Sequence, residues 1–182
     1  MPPARAHDLG EALQRFAPLG PEELRAGEAI FRERRLARAA FFLRAGEPAT
    51  EVAIVMRGLL REYFVTPRGV ERTKAFVVEG HSSGSFADLL STQGSRAFIV
   101  ADEPTRLLVA RYADVRALTL HFPGWTILER LVLERTLAVK AEREWELLGL
   151  DAAARYAAFR ERYPGLEARV AARHVASYLG IT

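Results

Sequence analysis

The stretch FLRAGEPATEVAIVMRGLLREYF, residues 42–64, sets the character of the middle of the chain. It contains short apolar runs that are each followed by a glycine. The pattern continues beyond it, because the four glycines Gly46, Gly58, Gly69 and Gly80 lie 12, 11 and 11 residues apart. Short apolar runs separated by turns at this spacing are typical of strands in a sandwich or barrel. The sequence therefore predicts an all-β body from about Leu36 to Arg111, with Pro67-Arg68-Gly69 as a hairpin connection.

Helical spacing of apolar residues dominates on both sides of this body. A long segment opens after Pro123 and has no breaker before Gly149, so it predicts one helix of about 25 residues. Asp151 is placed as the N-cap of the helix that follows. The predicted helices are Asp8–Phe16, Pro21 to about Arg34, a short one ending near Leu120, Pro123–Leu148, Asp151–Tyr163, and about Leu166 to Leu179.

The long helix carries apolar residues at alternating spacings of four and three, which is the spacing of a two-helix seam. Leu133 and Leu137 lie on a neighbouring face and are expected to pack on the β body. One helix with two apolar faces favours a homodimer, although an intrachain core would give the same pattern. The candidate interface residues are Ile127, Leu131, Ala138, Ala141, Trp145 and Leu148, and Glu134 is the single charged misfit in the series.

The last eleven residues, ARHVASYLGIT (172–182), are typical of the first helix and turn of a helix-turn-helix. The second helix of that motif reads the DNA major groove and follows the turn. We therefore expect this chain to lack the recognition helix, and the functional protein to be longer by about one short helix. The candidate DNA contacts are Arg169, Arg173, Gly180 and Thr182.

Composition excludes several classes of function. The chain of 182 residues has a formal net charge of +3 and no cysteine, so disulfides, thiolate metal sites and cysteine nucleophiles are excluded. The four histidines have no short spacing that would indicate a metal site, and no base is placed near the serines. We expect no catalytic residues, no metal, no membrane partner and a cytoplasmic location.

With these features in this order, the chain resembles the Crp/Fnr family of bacterial transcription regulators. The resemblance rests on residues 42–64, on VVEGHSSGSFADLLSTQGSRAFIVA (77–101), which is similar to the family's phosphate-binding cassette, and on VASYLGIT (175–182). It implies an α+β fold: a β jelly roll, or cyclic-nucleotide-binding-like double-stranded β-helix, with flanking helices. The implied units are a sensor domain (1–122), a long dimerisation helix (123–149) and an incomplete helix-turn-helix domain (150–182).

The resemblance also implies an effector-responsive dimeric regulator that binds DNA in its complete form. Its candidate effector-binding residues are Gly84, Ser85, Phe86, Asp88, Ser95, Arg96 and Ala97. In family members that bind cyclic nucleotides, a glutamate accepts from the ribose hydroxyl and an arginine pairs with the phosphate. Here the shorter Asp88 replaces the glutamate, Ala97 lacks a hydroxyl, and the segment is short.

These departures disfavour cyclic AMP and cyclic GMP, although the resemblance allows them. A different, unknown small-molecule effector or none is expected, and no cofactor. Arg96 could equally be a surface residue that pairs with Asp88 or Glu103. The alternative function is an effector-binding or protein-interaction module that does not bind DNA.

Overall fold

The computed structural model describes residues 6–91 and 93–181. The helices are α1 (Ala6–Gln14), α2 (Pro21–Ile30), α3 (Phe86–Leu89), α4 (Tyr112–His121), α5 (Pro123–Gly149), α6 (Ala152–Arg162) and α7 (Ala172–Leu179), with a single 3₁₀ turn at Leu166–Ala168. The strands are β1 (Arg32–Leu36), β2 (Phe41–Leu43), β3 (Glu51–Arg57), β4 (Leu60–Val65), β5 (Glu71–Val77), β6 (Ser82–Ser83), β7 (Phe98–Ala101) and β8 (Thr105–Arg111).

The strands form two four-stranded antiparallel sheets that face each other. Their orders are β1-β8-β3-β6 and β2-β7-β4-β5. Apolar side chains from both sheets fill the space between them, including Leu43, Val55, Leu60, Ile99 and Leu107, each at most 7% exposed. This is the β jelly roll of cyclic-nucleotide-binding domains, flanked by helices, so the predicted fold class is confirmed.

Two predicted helix boundaries are wrong. The second helix ends at Ile30, and β1 begins at Arg32, where a helix was predicted to continue to Arg34. Pairing of β1 with β8 decides the conformation there, because tertiary pairing overrides local helical spacing. The last helix begins at Ala172 instead of Leu166, because a 3₁₀ turn and a short extended segment precede it.

The first sheet carries the N-terminal helices on its outer face. Trp125, at the start of α5, is fully buried in this helical core. Its indole N–H donates to the Glu23 carbonyl at 3.0 Å, and the Gly124 N–H donates to the Glu23 carboxylate at 2.7 Å. One residue of α2 thus fixes the start of the long helix against the sensor.

The face of α5 that packs on the body of the protein is not the face that the sequence predicted. Leu133 and Leu137 are 39% and 69% exposed, so the expectation that they pack on the β body is wrong. Leu128 and Val132 pack there instead. Because the helix turns about 100° per residue, residues four apart share a face and the stripe through Leu128 and Val132 excludes Leu133.

The C-terminal segment shares a core with the second sheet. Phe159 of α6, Leu166 of the 3₁₀ turn and Tyr178 of α7 are at most 2% exposed. They pack against Leu59 and Phe76 of the jelly roll, which are 0% and 4% exposed. The segment is therefore docked on the sensor.

The predicted turn glycines all have positive φ, between 78° and 97°. Gly58 is the most constrained, because a Cβ at that position would lie 2.6 Å from Thr105 Oγ1 and 2.7 Å from the Pro104 carbonyl oxygen. At Gly69 a Cβ would meet no atom within 4 Å.

We predict that Gly58→Ala lowers the free energy of unfolding by at least twice as much as Gly69→Ala. Both changes force a β-carbon into a left-handed conformation, at a cost of about 1 kcal/mol or more, and only Gly58→Ala adds a steric clash. Urea unfolding followed by circular dichroism measures both values. Equal losses would show that close packing at Gly58 contributes nothing.

Candidate functional site

The cassette segment folds around the carboxylate of Asp88. Ser85, at φ +45°, precedes the short helix α3, and its hydroxyl donates to Asp88 at 2.6 Å. The Ser95 hydroxyl donates to the same carboxylate oxygen at 2.6 Å, and the Ala97 N–H donates to Ser95 Oγ at 3.0 Å. Asp88 therefore joins the two ends of the cassette, and its Oδ2 already accepts two hydrogen bonds from within the chain.

Electrostatics keep Asp88 ionised. Burial raises the pKa of its carboxyl, but the hydrogen bonds from Ser85 and Ser95, with the charges of Lys74 and Arg96, outweigh burial and lower the pKa below its ordinary value of 3.8. The cassette is thus closed by an ionised carboxylate that accepts hydrogen bonds from two hydroxyl groups at neutral pH.

Arg96 stays outside this network. Its side chain is exposed, and it makes no hydrogen bond or ion pair with any residue that the structure describes. The alternative pairing with Glu103 does not occur, because Glu103 bonds to Arg169. Of the seven candidate residues, Ser85, Asp88, Ser95 and Ala97 are joined by hydrogen bonds. Gly84 packs on the backbone of β3, and Phe86 lines an adjacent cavity.

That cavity, of about 370 Å³, lies between β5, α3, α5 and the C-terminal helices. We call it the inter-domain cavity. Its wall combines aromatic, aliphatic and charged groups from the sensor and from the C-terminal segment. The residues that line it include Glu62, Lys74, Phe76, His81, Phe86, Val132, Arg135, Val139, Lys140, Arg143, Arg162, Tyr163 and Tyr178.

A buried carboxylate faces the cavity from β4. Glu62 is 6% exposed, accepts from Ser83 Oγ at 2.9 Å and forms an ion pair with Lys74 at 2.8 Å. Inward-facing charge on a strand between two sheets is costly unless it is paired. Here Lys74 comes from the neighbouring strand β5, and Ser83 comes from β6 of the facing sheet. The pair forms the sensor side of the cavity wall.

A second buried carboxylate, Glu146 of α5, holds two arginines at the other end. It is 1% exposed and accepts from Arg143 at 2.9 Å and from Arg162 at 3.1 Å. Arg162 also donates to the Tyr178 hydroxyl at 2.8 Å, and Arg143 donates to the Tyr178 carbonyl. Burial raises the pKa of Glu146, but the bonds from the two arginines lower it below its ordinary value. These contacts join α5, α6 and α7.

Arg169 ties the C-terminal segment to the jelly roll. Its guanidinium donates to Glu79 at 2.8 Å, to Glu103 at 2.6 Å and to the Gly58 carbonyl at 3.2 Å. The bonds to Glu103 and Glu79 raise the pKa of Arg169 further above its usual value. Two carboxylates of the jelly roll therefore hold the guanidinium, and the phosphate contact of Arg169 stays a prediction.

The remaining DNA candidates are placed differently. Arg173 is exposed on α7, and Gly180 has φ +70°, which confirms the sharp turn after the helix. His174 and Ser177 on α7 contact the second sheet, at 3.3 Å from Asp102 and 2.8 Å from the Thr73 N–H. Thr182 lies outside the described residues.

The seam residues of α5 remain largely uncovered in the single chain. Ile127, Trp145 and Leu148 are 44%, 56% and 82% exposed, and Ala138 and Ala141 are also exposed. Leu131 differs, because it is half-buried against the helical core. An apolar stripe of this length on a surface helix is typical of an interaction face.

Six charged residues of the cavity are not among those predicted from the sequence: Glu62, Lys74, Arg135, Lys140, Arg143 and Arg162. A signal existed for Glu62, since it lies two residues after the core residue Leu60, so the alternation places its side chain between the sheets. Lys74 had no such signal, because it lies at the register shift between β4 and β5. No local signal marked Arg135 and Lys140, because exposed charges on a long helix are common.

No family model matches the sequence, and no curated protein matches it significantly. Solved structures do match. The catabolite activator protein of Thermus thermophilus is 26% identical, with a TM-score of 0.62, and the match covers 94% of this chain and 81% of that one. A double mutant of CooA from Carboxydothermus hydrogenoformans is 24% identical, with a TM-score of 0.68, over 96% of this chain and 78% of that one.

CLP of Xanthomonas campestris, described as a c-di-GMP-responsive global regulator, is 15% identical with a TM-score of 0.71, over 90% of this chain and 86% of that one. These neighbours are regulators of the Crp/Fnr family, and others are cyclic-nucleotide-binding domains. The chain has their fold, and the resemblance to Crp/Fnr regulators that its motifs indicated is supported.

Residues 6–91 and 93–181 lack two features of other protein classes. None of the helices there is long and apolar enough to cross a lipid bilayer. The same residues contain no group of three or more histidine and carboxylate side chains that could hold a metal ion.

We predict that Asp88→Ala lowers the free energy of unfolding by about 2 kcal/mol at pH 7, because two hydroxyl donors lose a charged acceptor. Arg96→Ala should change it by less than about 0.5 kcal/mol. Urea unfolding of both variants tests this.

The Asp88 effect should depend on pH. The pKa of the folded protein's carboxyl is lowered, so its contribution is complete above the ordinary value of 3.8 and is lost as pH falls through the folded value. The difference between the parent and Asp88→Ala should therefore narrow at pH 3. A larger loss for Arg96→Ala than for Asp88→Ala would contradict this description of the cassette.

Proposed function

We propose that the protein is an effector-responsive, dimeric transcription regulator of the Crp/Fnr type. In this proposal the jelly roll is the sensor, α5 forms the dimer, and α6 and α7 belong to a helix-turn-helix domain that binds DNA. We further propose that it acts in the cytoplasm and is not an enzyme.

One observation carries the proposal: the sensor and the helix-turn-helix segment share one cavity. Phe76 lies on the sensor side of the cavity wall. On the other side, Arg162 comes from α6, Tyr163 from the residue after α6, and Tyr178 from α7. A ligand in this cavity would contact both units at once. A ligand can shift an equilibrium between two arrangements only by its differential affinity for them, and a shared wall provides such a difference.

The proposed effector is not cyclic AMP or cyclic GMP. The carboxylate that would accept from the ribose hydroxyl already accepts from Ser85 and Ser95, and Arg96 is exposed. A buried ribose hydroxyl without a partner would cost about 1–3 kcal/mol, which is roughly tenfold or more in affinity. No cofactor is proposed.

The second candidate function is an effector-binding or protein-interaction module without DNA binding. Arg169 favours it, because Glu79 and Glu103 of the jelly roll hold its guanidinium. The DNA experiment below separates the two candidates.

We predict that the 182-residue chain binds duplex DNA weakly and with equal affinity for unrelated sequences. Arg173 can reach phosphates, whereas base contacts belong to the second helix of such a motif. In fluorescence anisotropy, Arg173→Gln should weaken binding of labelled duplexes and reduce the salt slope by about one. The exposed Arg25→Gln on α2 is the matched control.

Binding that is absent at low salt would favour the second candidate function. Equal effects of Arg173→Gln and Arg25→Gln would show that the contact is diffuse charge and not α7. In a version that carries a second helix after the turn, discrimination between promoter and scrambled duplexes is the expected result.

We predict that Trp145→Asp weakens a homodimer by at least about a hundredfold, since symmetry places two unpaired charges in an apolar seam. Trp145→Phe keeps the apolar contact and should leave the dimer intact. Light scattering across a concentration series measures both variants. A parent that is monomeric at tens of micromolar would remove dimerisation from the proposed function.

A further inference from the structure

We propose that the inter-domain cavity binds a small organic anion with an apolar body, and that Arg135 and Lys140 of α5 hold its negative group. This inference rests on the proposed function, because it names the chemical class of the effector. It differs from cyclic-nucleotide recognition in that the anion is held by the long helix and not by the cassette arginine.

The charges of the lining support an anion. Among the residues that the structure describes, five cationic side chains line the cavity against the single carboxylate of Glu62: Lys74, Arg135, Lys140, Arg143 and Arg162. Lys74 is neutralised by Glu62, and Arg143 and Arg162 share the one carboxylate of Glu146. The wall therefore carries more positive charge than its carboxylates balance, and a walled cavity concentrates such a field.

Arg135 and Lys140 are the cations that lack a carboxylate. Among the described residues neither forms an ion pair, and the hydrogen bond that Arg135 makes is to the Nε2 of His81, at 3.2 Å. Since His81 places its Nδ1 against the Glu79 carbonyl at 3.2 Å, its Nε2 is the acceptor that faces Arg135. An arginine whose described partner is an imidazole nitrogen keeps its remaining donors and its charge for a ligand.

The rest of the wall calls for an apolar body. Phe76, Phe86, Val132, Val139 and Tyr163 line the cavity beside the two cations. Val139 is 45% exposed, so a ligand there would remove apolar surface from water. A volume of about 370 Å³ suits a molecule of one or two rings and is within the usual range of ligand pockets.

The cassette does not compete for the same ligand. Arg96 does not line the cavity, and the hydroxyls of Ser85 and Ser95 are both bonded to Asp88. Phe86 of α3 is the cassette side chain that contributes an apolar contact. Ser82 and Ser85 of the glycine-rich segment also line the cavity, but the two cations that lack a carboxylate come from α5.

The probe for the test is 1-anilinonaphthalene-8-sulfonate, and its neutral partner is N-phenyl-1-naphthylamine, which has the same ring skeleton without the sulfonate. Both become fluorescent in apolar surroundings, so one titration format serves both. We expect the sulfonate to bind saturably at one site per chain. The double variant Arg135→Gln, Lys140→Gln should weaken sulfonate binding at least tenfold and change binding of the neutral probe less than twofold.

Three control variants define the site. Arg130 is a cation of the same helix that, unlike Arg135 and Lys140, forms an ion pair, with Glu134 at 3.5 Å. Arg130→Gln should therefore leave sulfonate binding unchanged. Arg96→Gln should also have no effect. Leu137→Gln removes an apolar side chain of α5 that is 69% exposed and does not line the cavity, so an unchanged affinity excludes binding of the dye to that exposed surface.

The inference is overturned if binding of the sulfonate does not saturate, or if the double variant weakens binding of both probes equally. It is also overturned if Arg96→Gln weakens sulfonate binding more than the double variant does. Low-micromolar binding of cyclic AMP that Arg96→Gln abolishes would overturn it as well. None of these titrations contains DNA. Sulfonate binding without any DNA binding would end only the proposed function, and DNA binding with a silent cavity would end only this inference.

Discussion

The packing of Phe76 against the C-terminal helices is the contact on which the rest of the molecule depends. Its ring lies 5.7 Å from that of Tyr178, 6.0 Å from Tyr163 and 6.2 Å from Phe159. Aromatic groups at these separations attract each other beyond the area they bury. Because Phe76 is on β5, this cluster fixes the C-terminal helices on the jelly roll.

The docking has an electrostatic component that surrounds the aromatic one. Arg169 meets two carboxylates of the jelly roll, and the pair of Arg143 and Arg162 meets Glu146. Removal of one partner from the buried Glu146 group leaves an uncompensated charge and is strongly destabilising. Arg169, Glu79 and Glu103 are partly exposed, so their ion pairs contribute less. These ion pairs thus fix one orientation of α6 and α7, whereas the aromatic contacts alone would tolerate several.

The cavity is a consequence of this docking. β5 and α5 alone would leave an open groove, and the C-terminal helices close one end of it with Tyr163 and Tyr178. A molecule that fills the cavity would therefore act on the contact between sensor and helix-turn-helix segment. Rearrangement of a packed interface is a usual way for small ligands to produce large motions, since such interfaces have discrete arrangements. This is the physical basis that we propose for regulation.

The sequence by itself determined the secondary structure at the places where local rules dominate. Glycines at regular intervals fixed the turns of the jelly roll, because only glycine takes positive φ without strain, and Pro123 and Asp151 fixed the starts of two helices. The tertiary structure decided the rest. It made a strand of Arg32–Leu36 by pairing it with β8, and it turned Arg169 from a predicted DNA contact into an anchor on the sensor. It also gathered Glu62, Lys74, Arg135 and Lys140 around one cavity, which no local pattern encodes, because their proximity arises from strands and helices far apart in the chain.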